Sequence, residues 1–324
     1  MIRSGSEVPL RLIVTTQCMA HCEFCHFEGV GRGLSTLSEA EIDTAAEMAS
    51  RLSLRQIQLS GGEPLLRPDM PATVERILEL HPRARISVTS NGLLLTPELS
   101  ERLCRSGVSK LNVNLAAWLQ WGGEVRPAKD VRAEIERLAE AASPFVDHGR
   151  LELNFPVVGE YLAHVDEVLR ACIRLKIPLD IMTIGWHPGL TEERYRSLHV
   201  DPASVLRSCL PSVDDVLLRF EATPHLELLH RGRAVGKLKD AGISRQFRLR
   251  ECPDCRFRTR CPETSCAIRV YPGWRVGRCL LDLERTGRRR ASTQTEFRQA
   301  VLHAYAAVSR AVENLSFLRF GVSG

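Results

Sequence analysis

Arg11-Leu-Ile-Val-Thr15 followed by Cys18-Met-Ala-His-Cys22-Glu-Phe-Cys25 is the stretch on which the fold turns. The first five residues are mostly β-branched or apolar and read as a short strand. Three cysteines follow within eight residues, so a core strand runs directly into a loop that bears chemistry. Working outward, similar apolar runs recur at 56–60, 85–89, 110–115, 151–158 and 179–184. Between them lie amphipathic stretches with helical spacing at 38–52, 70–79, 97–106, 128–142 and 163–175. Ser38 with Glu41, and Thr96 before Pro97, are helix-start signals. Six strands alternating with helices predict a parallel sheet of βα units. In such sheets ligands gather outside the carboxyl ends of the strands. The segments that follow the strands here are Cys18 to Cys25, Gly61-Gly62-Glu63-Pro64, Ser90-Asn91-Gly92 and the strand end Asn112-Val-Asn114. All fall on one rim of the predicted sheet, where core packing does not explain them.

Composition narrows the class. The 324 residues are 44% hydrophobic and 26% charged, which suits a globular chain with a real core and excludes collagen-like repetition and wholesale disorder. No apolar run approaches the roughly 20 residues of a membrane span. The start lacks the pattern of a secretory signal, so the expected location is the cytoplasm. The formal charge is only +5, and Arg288 to Arg290 is the one short basic run, so nucleic acid is not an expected partner. Eight of the eleven cysteines cluster at 18–25 and 252–279, which favours metal or redox chemistry over a disulfide frame.

Three thiolates on one loop suit an iron–sulfur cluster with one open iron, or a zinc site completed by His21 or His26. Gly61 and Gly62 would let a strand end present backbone groups to a ligand, and Glu63 would accept hydrogen bonds from an ammonium group. Position at the rim argues against an ordinary turn.

With these residues in place, the chain resembles a radical S-adenosylmethionine (SAM) enzyme. CxxxCxxC after the first strand resembles the defining motif of that superfamily, and Gly61-Gly62-Glu63-Pro64 resembles its loop for the methionine amino group. Within it, Leu59-Ser-Gly-Gly-Glu-Pro-Leu-Leu-Arg67, Thr89-Ser-Asn-Gly92 and Leu111-Asn-Val-Asn-Leu115 are most similar to the GTP 3′,8-cyclase branch. The resemblance covers residues 10–190 well. It implies a partial (β/α)6 TIM-like barrel over residues 1–195 and a smaller auxiliary iron–sulfur domain over 196–324. It also implies that Cys18, Cys22 and Cys25 hold a [4Fe–4S] cluster. SAM chelates the open iron and yields a 5′-deoxyadenosyl radical that removes hydrogen from a substrate carbon. By motif position Ser90, Asn114 and Asn154 are expected SAM contacts, and Arg67 is expected to reach the substrate.

Cys252, Cys255, Cys261, Cys266 and Cys279 form a second ligand set that Cys209 could join. It resembles the SPASM and twitch extensions, although four residues rather than three separate Cys261 from Cys266. One auxiliary [4Fe–4S] cluster is expected, structural zinc being the plain alternative. A thiol left over among Cys209, Cys261 and Cys266 could donate hydrogen to a substrate radical. Cys104 and Cys172 are expected in the core. The cyclase branch follows an auxiliary cysteine with more Arg than Cys266-Ala-Ile-Arg269 supplies, and it ends in Gly-Gly where this chain has Ser323-Gly324. Peptide-modifying relatives carry a leader-recognition domain ahead of a first strand that here begins near residue 10. The expected function is epimerisation or oxidation of an aminoglycoside, sugar or nucleoside in a specialised pathway, served by an electron donor such as flavodoxin or ferredoxin. A cyclase, a peptide-modifying enzyme and a non-catalytic metal scaffold are the alternatives.

Overall fold

Each apolar run becomes a strand because side chains alternate between the two sides of a sheet, and here one side needs to be apolar. The computed structural model describes residues 8–20, 22–26, 28, 34–115, 128–219, 225–239, 254–255, 257, 267–280 and 289–319. β1 (Leu10–Thr15), β2 (Gln56–Gly61), β3 (Arg85–Ser90), β4 (Val108–Asn114), β5 (Leu151–Val157) and β6 (Leu179–Thr183) lie side by side in chain order. Every junction among them is parallel, as expected of a partial TIM-like barrel. Helices Glu39–Arg51, Met70–Leu80, Pro97–Arg105, Ala128–Ala141 and Val165–Leu175 follow the first five strands in turn. The Ser38 hydroxyl and the Glu41 carboxylate form the expected reciprocal cap, and Thr96 caps the helix that opens at Pro97.

Leu12, Val14, Leu59, Val88, Val113, Phe155 and Ile181 are fully buried on the side that faces the helices. Burying each stabilises by roughly 2 kcal/mol before chain entropy is subtracted. The opposite side is polar, unlike a parallel sheet with helices on both faces. There Arg11, Gln58, Ser87 and Lys110 stand in one row across four strands. Asn114, Asn154, Asp180 and Lys237 stand in another.

The chain beyond residue 195 joins this same sheet at both edges. β7 (Asp215–Arg219), β8 (His225–His230) and β9 (Arg233–Lys239) form an antiparallel meander whose last strand lies parallel beside β6. β9 has no counterpart among the apolar runs of the sequence. The turn at Pro272-Gly273 joins β10 (Ile268–Tyr271) and β11 (Arg275–Gly277), with β12 (Arg289–Arg290) beyond. β10 runs parallel beside β1. Both inserted strands bring cations to the polar side, where carboxylates of the first six-strand unit meet them. Lys237 lies 3.4 Å from Asp180, Lys239 also pairs with Asp180, and Arg269 lies 3.8 Å from Glu28. The last helix, Gln294–Arg319, sits on Glu39–Arg51 through Gln294 to Thr44 (2.6 Å) and Arg298 to Glu47 (2.9 Å). Among the described residues no helix is long and apolar enough to cross a membrane.

Candidate active site

The loop that carries Cys18 is fixed by backbone contact with the loop after β2. Gly62 N–H donates to the Thr15 carbonyl at 2.8 Å, and Glu63 N–H donates to the Gln17 carbonyl at 2.7 Å. A Cβ on Gly61 would fall 2.1 Å from the Thr15 oxygen, and one on Gly62 would fall 2.0 Å from the Gln17 oxygen. Gly61 also has φ +143°, which side chains rarely adopt. The glycine pair therefore serves close approach of two backbones. The backbone N–H groups of residues 62 and 63 are thus given to the cysteine loop.

Glu63 is fully buried. One carboxylate oxygen accepts from Ser90 Oγ (2.7 Å) and Leu65 N–H (3.0 Å), and the other accepts from Asn91 N–H (2.6 Å). Burial raises its pKa while these hydrogen bonds oppose the shift. Three of about four lone-pair positions are thereby filled from inside the protein. Ser90, expected to touch SAM, is turned to this buckle and also accepts from Gly92 N–H at 2.9 Å. Pro64 opens the single 3-10 turn Pro64–Leu66 that Glu63 caps. Arg67, expected at the substrate, is instead a buried clamp. It donates to the carbonyls of Leu37 (2.7 Å) and Val14 (3.3 Å) and grips Asp69 with two nitrogens. Its donors are committed to holding the end of β1, so it has little left to offer a ligand.

Cys18, Cys22 and Cys25 are each partly exposed on this stapled loop. Asn91, which the motif reading did not single out, reaches the same loop through its amide on Met19 Sδ at 3.6 Å. Glu28, three residues past Cys25, is buried beneath Arg11 (3.0 Å) and Ser60 Oγ (2.9 Å). Burial alone would raise its pKa, but Arg11, His26 and Arg269 with the Ser60 hydrogen bond hold it at about 2. Two more aromatic residues approach from later strands. Tyr161 lies in the 3-10 turn Gly159–His164 after β5 and stacks on Phe155 at 6.3 Å. His187 follows β6 and meets His26 edge-on at 6.5 Å.

Asn114 and Asn154 are register partners at the rim, each partly exposed on the polar side. They remain placed to meet a ligand. Cys209 does not. It is fully buried where helix Pro202–Cys209 packs on Val165–Leu175, in the apolar layer on the far side of the sheet from Asn114 and Asn154. Burial, with help from Asp166, pushes its thiol up to about 12, which disfavours a thiolate ligand, and its place in the apolar layer keeps it from a substrate at the rim. Cys255 Sγ accepts from Phe257 N–H at 3.4 Å, and Phe257 meets Trp186, just after β6, with ring centroids 5.4 Å apart. Cys279 is partly exposed after β11. Cys252, Cys261 and Cys266 lie outside the described residues, as does His21.

Among the described residues no three His, Cys, Asp or Glu side chains surround a point able to hold a single metal ion. The donor chemistry of the first loop nevertheless fits an iron–sulfur cluster. Its thiols are soft ligands, partly open to a bound group, and carried by a loop that two other rim segments brace. Sequence patterns located these thiols.

Residues 12–148 match the model of the Radical SAM superfamily. A protein of Sulfolobus acidocaldarius named probable GTP 3′,8-cyclase is 31% identical over 198 residues, 60% of this chain and 61% of that one. One of Methanothermobacter thermautotrophicus with the same name is 41% identical over 113 residues, 35% of this chain and 36% of that one. The chain thus spans less than two thirds of either relative's length. In fold it is similar to Streptococcus suis SuiB bound to its precursor peptide SuiA, with a TM-score of 0.62 at 14% identity over 93% of this chain and 65% of that one. It is also similar to anSMEcpe with bound AdoMet and a peptide, with a TM-score of 0.56 at 13% identity over 94% of this chain and 83% of that one.

Proposed function

Because residues 12–148 are a radical SAM domain, we propose that the chain is an enzyme that removes a hydrogen atom from an unactivated carbon of a small polar substrate. The product we infer is an epimer or an oxidised alcohol in a specialised biosynthetic pathway, and the substrate an aminoglycoside, sugar or nucleoside. The observation that carries this reading is the polar side of the sheet. Asn114 and Asn154 are two partly exposed amides that head a row at the rim, beyond which Asp180 and Lys237 pair with each other. Such a row suits a hydroxyl-rich molecule that needs many directional hydrogen bonds.

When bound, a [4Fe–4S] cluster and SAM would supply the electron and the 5′-deoxyadenosyl radical. The residues of the chain bind, orient and exclude water. Cys18, Cys22 and Cys25 would hold the iron, on a loop that Gly61, Gly62, Glu63 and Arg67 keep in place. Asn114 and Asn154 would orient polar groups of SAM and substrate. Cys255 and Cys279, with Cys252, Cys261 and Cys266, would hold one auxiliary cluster near the rim that Trp186 and Phe257 join. Either Cys261 or Cys266, if spare, would return hydrogen to the substrate. The electron would come from a separate donor such as flavodoxin or ferredoxin.

A second reading, a cyclase acting on a purine nucleotide, is favoured by the names of the curated relatives. Anaerobic reconstitution followed by turnover with deuterated substrates separates the two. Deuterium carried from a sugar or aminoglycoside into 5′-deoxyadenosine supports the first reading. Deuterium carried from labelled GTP supports the second. SAM left intact with every substrate under dithionite would overturn both.

A further inference from the structure

One buried carboxylate past the thiol loop gathers partners from three strands. Glu28 lies three residues beyond Cys25 and is buried. Its Oε1 accepts from Arg11 Nη1 of β1 at 3.0 Å and from Ser60 Oγ of β2 at 2.9 Å, and its Oε2 accepts from the same Arg11 nitrogen at 3.2 Å. The third strand is β10. Arg269 Nε forms an ion pair with Glu28 Oε2 at 3.8 Å, and Tyr271 Oη donates to the Glu28 carbonyl at 3.2 Å. Arg269 and Tyr271 are two apart on one strand, so both leave it on the same side, and both are fully buried. The Glu28 backbone is left-handed, with φ +51°, and its N–H donates to Nδ1 of His26, beside Cys25, at 3.1 Å. A residue other than glycine holds that conformation at a cost, and it persists only where its surroundings over-determine it.

These contacts are separate from the brace after β2. Gly62 and Glu63 hold the arm of the loop that enters from β1, through the carbonyls of Thr15 and Gln17. Glu28 holds the arm that leaves after Cys25, and it does so in part through a strand 243 residues further on. Arg269 also reaches the second cysteine region. Its Nη1 donates to the carbonyl of Arg278, the residue before Cys279, at 3.4 Å, and Cys266 stands three residues ahead of it. Apolar side chains would fill such a space with no loss of stability, whereas a buried ion pair dictates which groups stand opposite one another.

We propose that Glu28 and Arg269 are positioning residues that seat the leaving arm of the thiol loop on β10, so that Cys18, Cys22 and Cys25 are gathered for iron only when β10 is in place beside β1. The inference rests on the reading of this loop as an iron–sulfur site. Thiols that are already gathered lose less chain entropy when a cluster binds. Without the seat the loop opens locally, and its thiols meet reagents in solution more often.

The test is thiol reactivity. Full-length, metal-free protein is treated with limiting iodoacetamide, and the alkylation rate of each cysteine is followed by mass spectrometry. Arg269→Gln is expected to raise the rates at Cys18, Cys22 and Cys25 several-fold, while Cys172 and Cys209 in the helical layer keep the parent rate. Arg269→Lys, which has the charge without the planar fork, is expected to bring the loop rates part of the way back. Adding Glu28→Gln to Arg269→Gln is expected to raise them little further, because the two residues act as one pair. After reconstitution, Arg269→Gln is expected to lose iron to a chelator several-fold faster than the parent. Tyr271→Phe, which removes only a hydroxyl, is expected to show the same contrast at smaller size, and it decides the matter where Arg269→Gln loses its fold. Parent rates at the three loop cysteines in both variants, or a rise in Tyr271→Phe that Cys172 and Cys209 share equally, would overturn the inference. Failure of the parent protein to take up iron would instead overturn the reading of the loop on which it rests.

Discussion

Cysteines in two parts of this molecule have opposite fates. Cys18, Cys22 and Cys25 are partly exposed on a loop, whereas Cys172 and Cys209 are fully buried on helices outside the sheet. Burial pushes the thiols of Cys172 and Cys209 up to about 12, so they behave as small apolar groups. The loop thiols stay available because the loop cannot sink into the core. Backbone hydrogen bonds from Gly62 and Glu63 and the Arg67 clamp near the end of β1 hold it at the rim. A thiol becomes a ligand here through what restrains its backbone, not through its identity.

The sharpest way to break this contrast is to exchange Cys for Ala in both regions. Cys18→Ala, Cys22→Ala and Cys25→Ala should each abolish SAM cleavage under dithionite and remove the iron of this site. Cys209→Ala should retain both, and metal analysis of the purified variants checks the difference. The next largest effect is expected at the brace. Gly62→Ala places a Cβ 2.0 Å from the Gln17 oxygen, backbone that cannot step aside. It should cost about 3 kcal/mol or more, seen as a lower urea midpoint, together with lost iron.

A third prediction concerns Glu28, whose carboxylate ties the loop to Arg11 and to Arg269 of β10. Its folded pKa of about 2 lies below the ordinary carboxylate value of 4.5, so its contribution is present above pH 4.5 and is lost as pH falls toward 2. That contribution is about 3 kcal/mol, and Glu28→Gln should flatten the acid limb of stability against pH in urea titrations of the metal-free protein. The smallest effect is expected in the helical layer. Cys209→Ala should lower stability by about 1 kcal/mol through a small cavity, with no change in cluster spectroscopy.

Much of this was readable beforehand, for physical reasons that stop at identifiable places. β1 to β6 were legible because apolar residues recur at strand spacing and the helix starts carry caps such as Ser38 with Glu41. β9 was not, since Arg233-Ala-Val-Gly-Lys-Leu-Lys239 lacks that apolar rhythm and becomes a strand only by pairing with β6. The seat of the β10–β11 hairpin beside β1 depends on contacts across more than two hundred residues, which no local pattern encodes. The glycine loop was found at the right place, but its backbone bonds to Thr15 and Gln17 were not, because a motif names residues and not the atoms they meet. Arg67 and Ser90 stood in motif positions that suggested a ligand, yet their partners are the Val14 carbonyl and Glu63.

The sequence by itself determined the ligand set and its strand, since CxxxCxxC after an apolar run needs only short-range spacing to be recognised. Tertiary structure decided which polar residues serve the scaffold and which remain open at the rim. Hydrogen bonding is a matter of distance and direction, and a buried carboxylate such as Glu63 takes the donors that the fold brings to it. The same holds for His187, which meets His26 of the thiol loop only when β6 takes its place beside β5.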